Sequence, residues 1–204
     1  MMRRLLSPIR LLPAVLLAYM ACLPRPATPT VFAPWEEGLT LAYEDPSLPQ
    51  PLQSERRMQV RVTHATLGTR GPSLVQLDLT SSQGRMTVLV KPHDGGLDVV
   101  EESGRVLAMA LPAHFPETTR WADRNTECVV IGRAAWEGAS ILPPTSDPVG
   151  IWVEARASQA ARRRTLFLPN LGEVETREER DGNWIVVNRL VARGFTDLPT
   201  LKRP

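Results

Sequence analysis

From Met58 to Val90 apolar and polar residues alternate almost one for one. Met58, Val60 and Val62 are interleaved with Gln59, Arg61 and Thr63. Val75, Leu77 and Leu79 alternate with Gln76, Asp78 and Thr80, and Met86, Val88 and Val90 follow the same rule. Successive side chains of a strand point to opposite faces, so a period of two predicts strands with one buried and one wet face. The opposite signal is absent: no window carries apolar residues at i, i+3, i+4 and i+7 beyond two turns. Ala155–Arg164 is the best helix candidate, and it lacks the large apolar residues a helix needs to dock.

Turn residues separate the alternating runs. Asp45–Pro51 breaks an opening strand (Leu39, Leu41, Tyr43) with three prolines, Gly68–Pro72 and Ser81–Gly84 are turns, and Pro92–Gly96 ends in two glycines. Leu97–Glu101 and Val106–Leu111 form a further pair, and Glu127–Ala134 and Val149–Val153 resume strand. Pro112–Thr126 is the one long irregular connection, a length often used as a flap over an open end. In the Val149 strand, Trp152 shares the polar face with Glu154 and Arg156, which predicts partial exposure. Short strands at regular spacing predict an all-β fold: a single antiparallel, strongly curved meander sheet with little helix.

The last third continues the pattern. Arg162–Arg164 reads as a solvated shoulder, Thr165–Leu168 as a strand and Pro169–Gly172 as a turn. Glu173–Arg180 has almost no apolar residue besides Val174 and reads as a solvated or edge strand guarded by its charges. Asp181-Gly182 is the two-residue hairpin signal before a closing strand from Trp184 to Arg193. Phe167-Leu168-Pro169-Asn170-Leu171-Gly172-Glu173-Val174 resembles the aromatic-x-Pro-x-x-Gly-x-Val turn near the end of many bacterial lipoproteins whose families carry no assigned function. Those proteins share an opening strand like Trp35, Gly38 and Tyr43 and an apolar strand like Glu127–Gly132. The resemblance spans about Trp35 to Arg193 and implies a curved sheet similar to the LolA half-barrel. Here the family's aromatic pair is reduced to Phe167 and its extra glycine-rich turn is missing. It implies no catalytic residue.

The N-terminus places the chain in a cell. Arg3, Arg4 and Arg10 precede an apolar run from Leu11 to Met20, the layout of an export signal and too short to span a bilayer. The run ends Ala18-Tyr19-Met20-Ala21-Cys22, which resembles a bacterial lipobox with Tyr19 where leucine is usual. Acylation of Cys22 is the expectation; ordinary signal cleavage, or a Cys22–Cys128 disulfide in a secreted protein, are the competing readings. Pro24, Pro26, Pro29 and Pro34 stiffen the segment that follows into a tether. The expected organisation is a signal peptide over 1–21, a tether over 22–34, the β-domain over 35–195 and a flexible tail over 196–204. The expected compartment is the cell envelope, lipid-anchored at the periplasmic side of the outer membrane, or secreted if Cys22 is not acylated.

Charge excludes one class of partner. The formal net charge is +2, but three of the 24 basic residues lie in the leader, leaving 21 against 22 acidic residues, a net of −1. A nucleic-acid surface needs a basic stripe with stacking aromatics, and the chain has none. His64, His93 and His114 stand without a second ligand at metal-binding spacing, no nucleophile elbow or phosphate loop occurs, and Cys128 lies in an apolar run. The expectation is a non-enzyme with no metal or cofactor. Two readings remain. In one, the curved sheet binds a lipid or other apolar ligand between Val75, Leu77, Leu79, Met86, Val88, Val90 and Ile151. In the other, the core is filled and the domain docks an envelope protein.

Overall fold

A computed structural model describes residues 30–68, 71–142, 148–158 and 160–195. The signal segment, Cys22, most of the tether and the tail lie outside the described residues. Twelve strands make up the body: β1 (Thr40–Glu44), β2 (Met58–Gly68), β3 (Gly71–Ser81), β4 (Gly84–His93), β5 (Gly96–Val100), β6 (Val106–Leu111), β7 (Arg120–Asp123), β8 (Thr126–Ala135), β9 (Val149–Ala157), β10 (Arg163–Leu168), β11 (Gly172–Arg180) and β12 (Asn183–Gly194). One short helix, α1 (Leu52–Glu55), and a 3-10 turn at Ala139–Ile141 are the described exceptions.

The strands form a single antiparallel sheet in the order β6-β5-β4-β3-β2-β1-β12-β11-β10-β9-β8-β7. Each strand pairs with its sequence neighbours except β6 with β7, and β12 returns to pair with β1, Tyr43 opposite Leu190. The order is therefore that of an up-and-down barrel with one seam, between β6 and β7. Just after β7 the Arg124 guanidinium donates across the seam to the Leu107 carbonyl, and the His114 amide ties the β6–β7 connection to the β4–β5 turn by donating to the Asp94 carbonyl at 2.6 Å. The predicted all-β curved meander is this sheet, wound nearly to closure.

The inward face is apolar because the alternating residues fall in register. Val60 and Val62 oppose Leu79 and Leu77, and Val75, Leu77 and Leu79 oppose Val90, Val88 and Met86. Leu39, Leu41, Val62, Val75 and Leu111 are fully sealed. The local turns also match their sequence. Asp181 and Gly182 both take positive φ, as a type I′ hairpin requires. Gly172 (φ +76°) lies where a Cβ would come within 3.2 Å of the Phe32 carbonyl oxygen, so close approach and backbone both favour glycine.

Several expectations are corrected. Ala155–Arg164 is no helix: its ends belong to β9 and β10, where Arg163 and Arg164 pair with Ala155 and Glu154 across the ladder. Strand pairing satisfies the backbone there, and no apolar stripe existed to hold a helix. Glu173–Arg180 is not an edge. It lies in β11, between β10 and β12, with Glu175 and Thr176 buried; the free edges are β6 and β7. The irregular connection after Pro112 stops at residue 119, since β7 forms a hairpin with β8. The folded body also starts earlier than Trp35. Val31, Phe32 and Ala33 are buried, the Asn170 amide donates to the Val31 carbonyl, and the Trp35 indole donates to Asn170 Oδ1 at 3.0 Å.

Candidate functional site

Burial along the β3–β4 pair falls steadily from one end of the barrel to the other. Val75 is 0% and Val90 4% exposed, Leu77, Leu79 and Val88 are half-buried, and Met86 is 58% exposed. Six of the seven predicted lining residues thus form one contiguous inward strip, which is how the sequence pattern grouped them. They do not line a uniform cavity. Val75 and Val90 are sealed core, as is Ile151 on β9, and Met86 stands at the open end. The difference follows from what covers each end.

The closed end carries an aromatic plug. Phe115, from the connection between β6 and β7, sits edge-on to Phe32 at 4.8 Å between ring centroids, to Trp121 at 6.2 Å and to Phe167 at 6.3 Å. Edge-to-face rings at such spacing add to the gain from burying their area. Phe115 thus roots the connection from Pro112 among aromatic side chains at this end of the barrel. Phe32 was missed because it lies inside the proline-rich segment that composition marks as tether.

The inward face is not apolar all the way round. Thr165, Thr176 and Asn188 oppose one another across β10, β11 and β12, on the same face as Val153. Glu173 Oε1 accepts from Thr176 Oγ1 at 2.6 Å and from Asn188 Nδ2 at 3.0 Å, and Tyr43 OH donates to the Glu173 carbonyl at 2.8 Å. Burial, reinforced by the Glu173 carboxylate, pushes the Tyr43 phenol well above its usual range, so it remains a neutral donor. The barrel interior thus has an apolar wall on β2–β4 and a hydrogen-bonding wall on β10–β12.

The outer face of β9–β12 holds the charges that sequence reading assigned to solvent. Glu154, 1% exposed, accepts from Arg162 at 2.6 Å, Arg156 at 2.8 Å and Arg164 at 2.9 Å. Glu175 pairs with Arg177 at 2.7 Å and Arg189 at 3.0 Å. The Arg164 guanidinium stacks 4.0 Å above Trp184 and that of Arg177 4.9 Å from the centre of Trp152. Burial would raise the Glu154 carboxyl, but hydrogen bonds from Arg162, Arg164 and Arg156 outweigh it and hold the group down at about 2. So Arg162 and Arg164 are not a solvated shoulder. The two-residue spacing of Glu154 with Arg156, and of Glu175 with Arg177, was a legible sign that these charges share one strand face.

A cleft of about 410 Å³ opens beside the plug, between the β4–β5 turn, the connection from Ala113 and the ends of β8 and β9. Of the seven predicted lining residues only Ile151 borders it. Among the described residues no three His, Cys, Asp or Glu side chains gather as for a metal ion. His93 lies 3.2 Å from Asp98 across a hairpin, and His114 borders the cleft. Cys128 is a free, half-buried thiol whose pKa is raised by burial and by Asp123 and Glu127, which makes it a poor nucleophile. Cys22 lies outside the described residues.

No family profile matches the chain, and no curated protein matches it in sequence. Two solved structures are similar to it in shape. One is a candidate lipoprotein from Parabacteroides distasonis ATCC 8503, with 13% identity and a TM-score of 0.45 over 81% of this chain and 99% of that one. The other is a candidate exported protein with a YmcC-like fold from Bacteroides fragilis NCTC 9343, with 11% identity and a TM-score of 0.45 over the same shares. The likeness transfers no residue's role to this chain.

Proposed function

We propose that this protein is a lipid-anchored protein of the bacterial cell envelope that receives an acyl chain or similar apolar ligand through the open end of its barrel, with no catalytic step of its own. The observation that carries this reading is the burial gradient on β3 and β4. Apolar side chains run continuously from a sealed core to Met86 at the mouth, while an aromatic plug closes the far end. Half-exposed apolar surface on a concave face is what a ligand of matching chemistry would cover. The polar wall of Thr165, Thr176 and Asn188 would orient an amphiphile within it.

Met86 offers a test that spares the fold, because it is already exposed. An aspartate there puts a hydrated charge at the mouth, which an apolar ligand covering the site would have to desolvate. Fluorescence titration with the uncharged apolar dye N-phenylnaphthylamine is expected to show saturable binding. Met86→Asp should weaken it about tenfold or more, and Arg85→Asp, one residue along on the outer face, should leave it unchanged. Absence of saturable binding would favour the second reading, an interaction protein with a filled core. That reading draws on the sealing of Val75, Val90 and Ile151.

The anchor is a separate element of the proposal. It rests on the Ala21-Cys22 junction after a short apolar run. No helix among the described residues is long and apolar enough to cross a membrane. Cys22→Ser is expected to move the protein from the membrane to the soluble fraction on cell fractionation. Unchanged membrane retention of the variant would contradict acylation, since several acyl chains on one cysteine bind far more firmly than surface contact does.

A further inference from the structure

The cleft at the plugged end combines features the apolar mouth lacks. Its floor is apolar, with Phe32, Phe115 and Ile151, and its rim carries Arg133, Asp94 and Glu117. Arg133 is opposite Ile151 in the β8–β9 ladder, so the register directs it to the inward face at this end of the barrel. It is exposed there and makes no ion pair among the described residues. That sets it apart in a chain whose β9–β12 arginines are almost all engaged with glutamates. Asp94 and Glu117 have no side-chain partner among the described residues either. One free cation and two free carboxylates therefore share one concave surface.

The walls of this cleft are fixed in place. Asp94 and His114 both hold positive φ, 39° and 58°, and the His114 amide donates to the Asp94 carbonyl at 2.6 Å. Thr118 ties the connection to itself, its hydroxyl donating to the Ala113 carbonyl at 2.8 Å and its amide to the His114 carbonyl at 2.9 Å. Phe115 roots the same segment in the aromatic plug. The backbone frame is thus set before a ligand arrives, and binding has only the rim side chains to order.

We propose that this cleft is a binding site for a small zwitterion: an anionic phosphate or carboxylate held by Arg133, and a primary ammonium held by Asp94 and Glu117. A guanidinium suits an oxyanion with paired, charge-assisted hydrogen bonds, and two carboxylates suit a three-donor ammonium. A simple anion would meet the carboxylates and a simple cation would meet Arg133, so each half alone is disfavoured. Two sources share this chemistry, a phosphoethanolamine lipid headgroup and the ends of a free peptide. The cleft's location bears on the choice, because Thr30 lines it and follows Cys22 by only eight positions. At full extension that span is about 28 Å, so an acylated Cys22 would hold this end of the barrel near the membrane surface.

Calorimetric titration of the full-length protein in detergent distinguishes these outcomes. Glycerophosphoethanolamine and the dipeptide Ala-Ala are the probes, with inorganic phosphate and ethanolamine as half-ligands. Saturable binding of either zwitterion, at least about tenfold tighter than either half-ligand, supports the site. Preference for glycerophosphoethanolamine identifies the headgroup as the source, and preference for Ala-Ala identifies a peptide. Arg133→Ala, a change at an exposed position, should weaken the preferred probe about tenfold or more, while Met86→Asp should leave it unchanged and so separates this site from the barrel mouth. No binding of either zwitterion at about 10 mM, a free energy of under about 3 kcal/mol, would overturn the proposal. So would phosphate binding as tightly as the zwitterions, or Arg133→Ala binding like the wild type.

Discussion

Replacing Phe115 by alanine is expected to lower the stability of the fold by about 3–5 kcal/mol, the range for deleting a buried aromatic side chain. Phe115 is 3% exposed and contacts three aromatic neighbours edge-on, so its loss removes both buried area and three ring pairings. Each such pairing contributes about 0.5–1.5 kcal/mol beyond burial. The plug joins segments far apart in sequence, with Phe32 from the N-terminal segment and Phe167 from β10, and little can move inward to fill the gap. Urea titration followed by tryptophan fluorescence would measure the loss. A decrease below about 1 kcal/mol would mean that the end of the barrel collapses around the missing ring, and that Phe115 is not its stopper. Phe115→Leu, which keeps most of the volume, should cost clearly less.

Glu154→Gln is the second large effect expected. The carboxylate is sealed from water and accepts from three arginines. The amide would leave three guanidiniums facing one neutral oxygen and an NH₂ group that repels their donors. Removing one member of a buried ion cluster costs about 3–5 kcal/mol. Because Arg156, Arg162 and Arg164 are 56%, 39% and 32% exposed, solvent takes up part of their charge, and about 2–3 kcal/mol is the expected loss. For a chain of this size that lowers Tm by roughly 4–12 °C.

The same site sets an acid dependence with a definite sign. Glu154 has a folded pKa of about 2 against an ordinary value of 4.5. Its contribution is therefore complete above about pH 4.5 and is lost as pH falls toward 2, where the folded state too must take up the proton. The wild type should lose stability over that window more steeply than Glu154→Gln, which has no proton to bind there. Parallel stability–pH curves for the two proteins, measured by urea titration from pH 6 to pH 2.5, would show that the Glu154 cluster does not hold the carboxylate ionised.

The strand inventory was largely written in the chain, because alternation and turn chemistry are local. Val75 to Val90 displays its inward face to anyone counting by two, and Asp181-Gly182 names its own hairpin. The same locality misled at Glu173–Arg180. Glutamates and arginines with one valine look solvated when each is read against its immediate neighbours. Their partners, Arg189 on one side and Arg162 and Arg163 on the other, come from segments whose registers the sequence does not announce. Phe32 was hidden for a related reason: prolines define a tether by composition, but only packing shows where the tether ends. Met86 shares its face with Val88 and Val90 but not their burial, since a period of two fixes direction and says nothing of how far along the barrel cover extends.

Sequence by itself determined the class of body and its grain: short antiparallel strands, an apolar face on each, and turns that permit a meander. It did so because side-chain direction in a strand and φ in a turn depend on adjacent residues. The tertiary structure alone decided that β12 pairs with β1, some 150 residues away, drawing the meander into a nearly closed ring. That single long-range pairing makes β1 and β12 interior strands and leaves the seam at β6 and β7, while β11 lies inside through its own hairpins with β10 and β12. The physical reason is that a ladder's hydrogen bonds are the same for any two strands, so which edges meet is settled by the packing of the whole interior around the Phe115 plug.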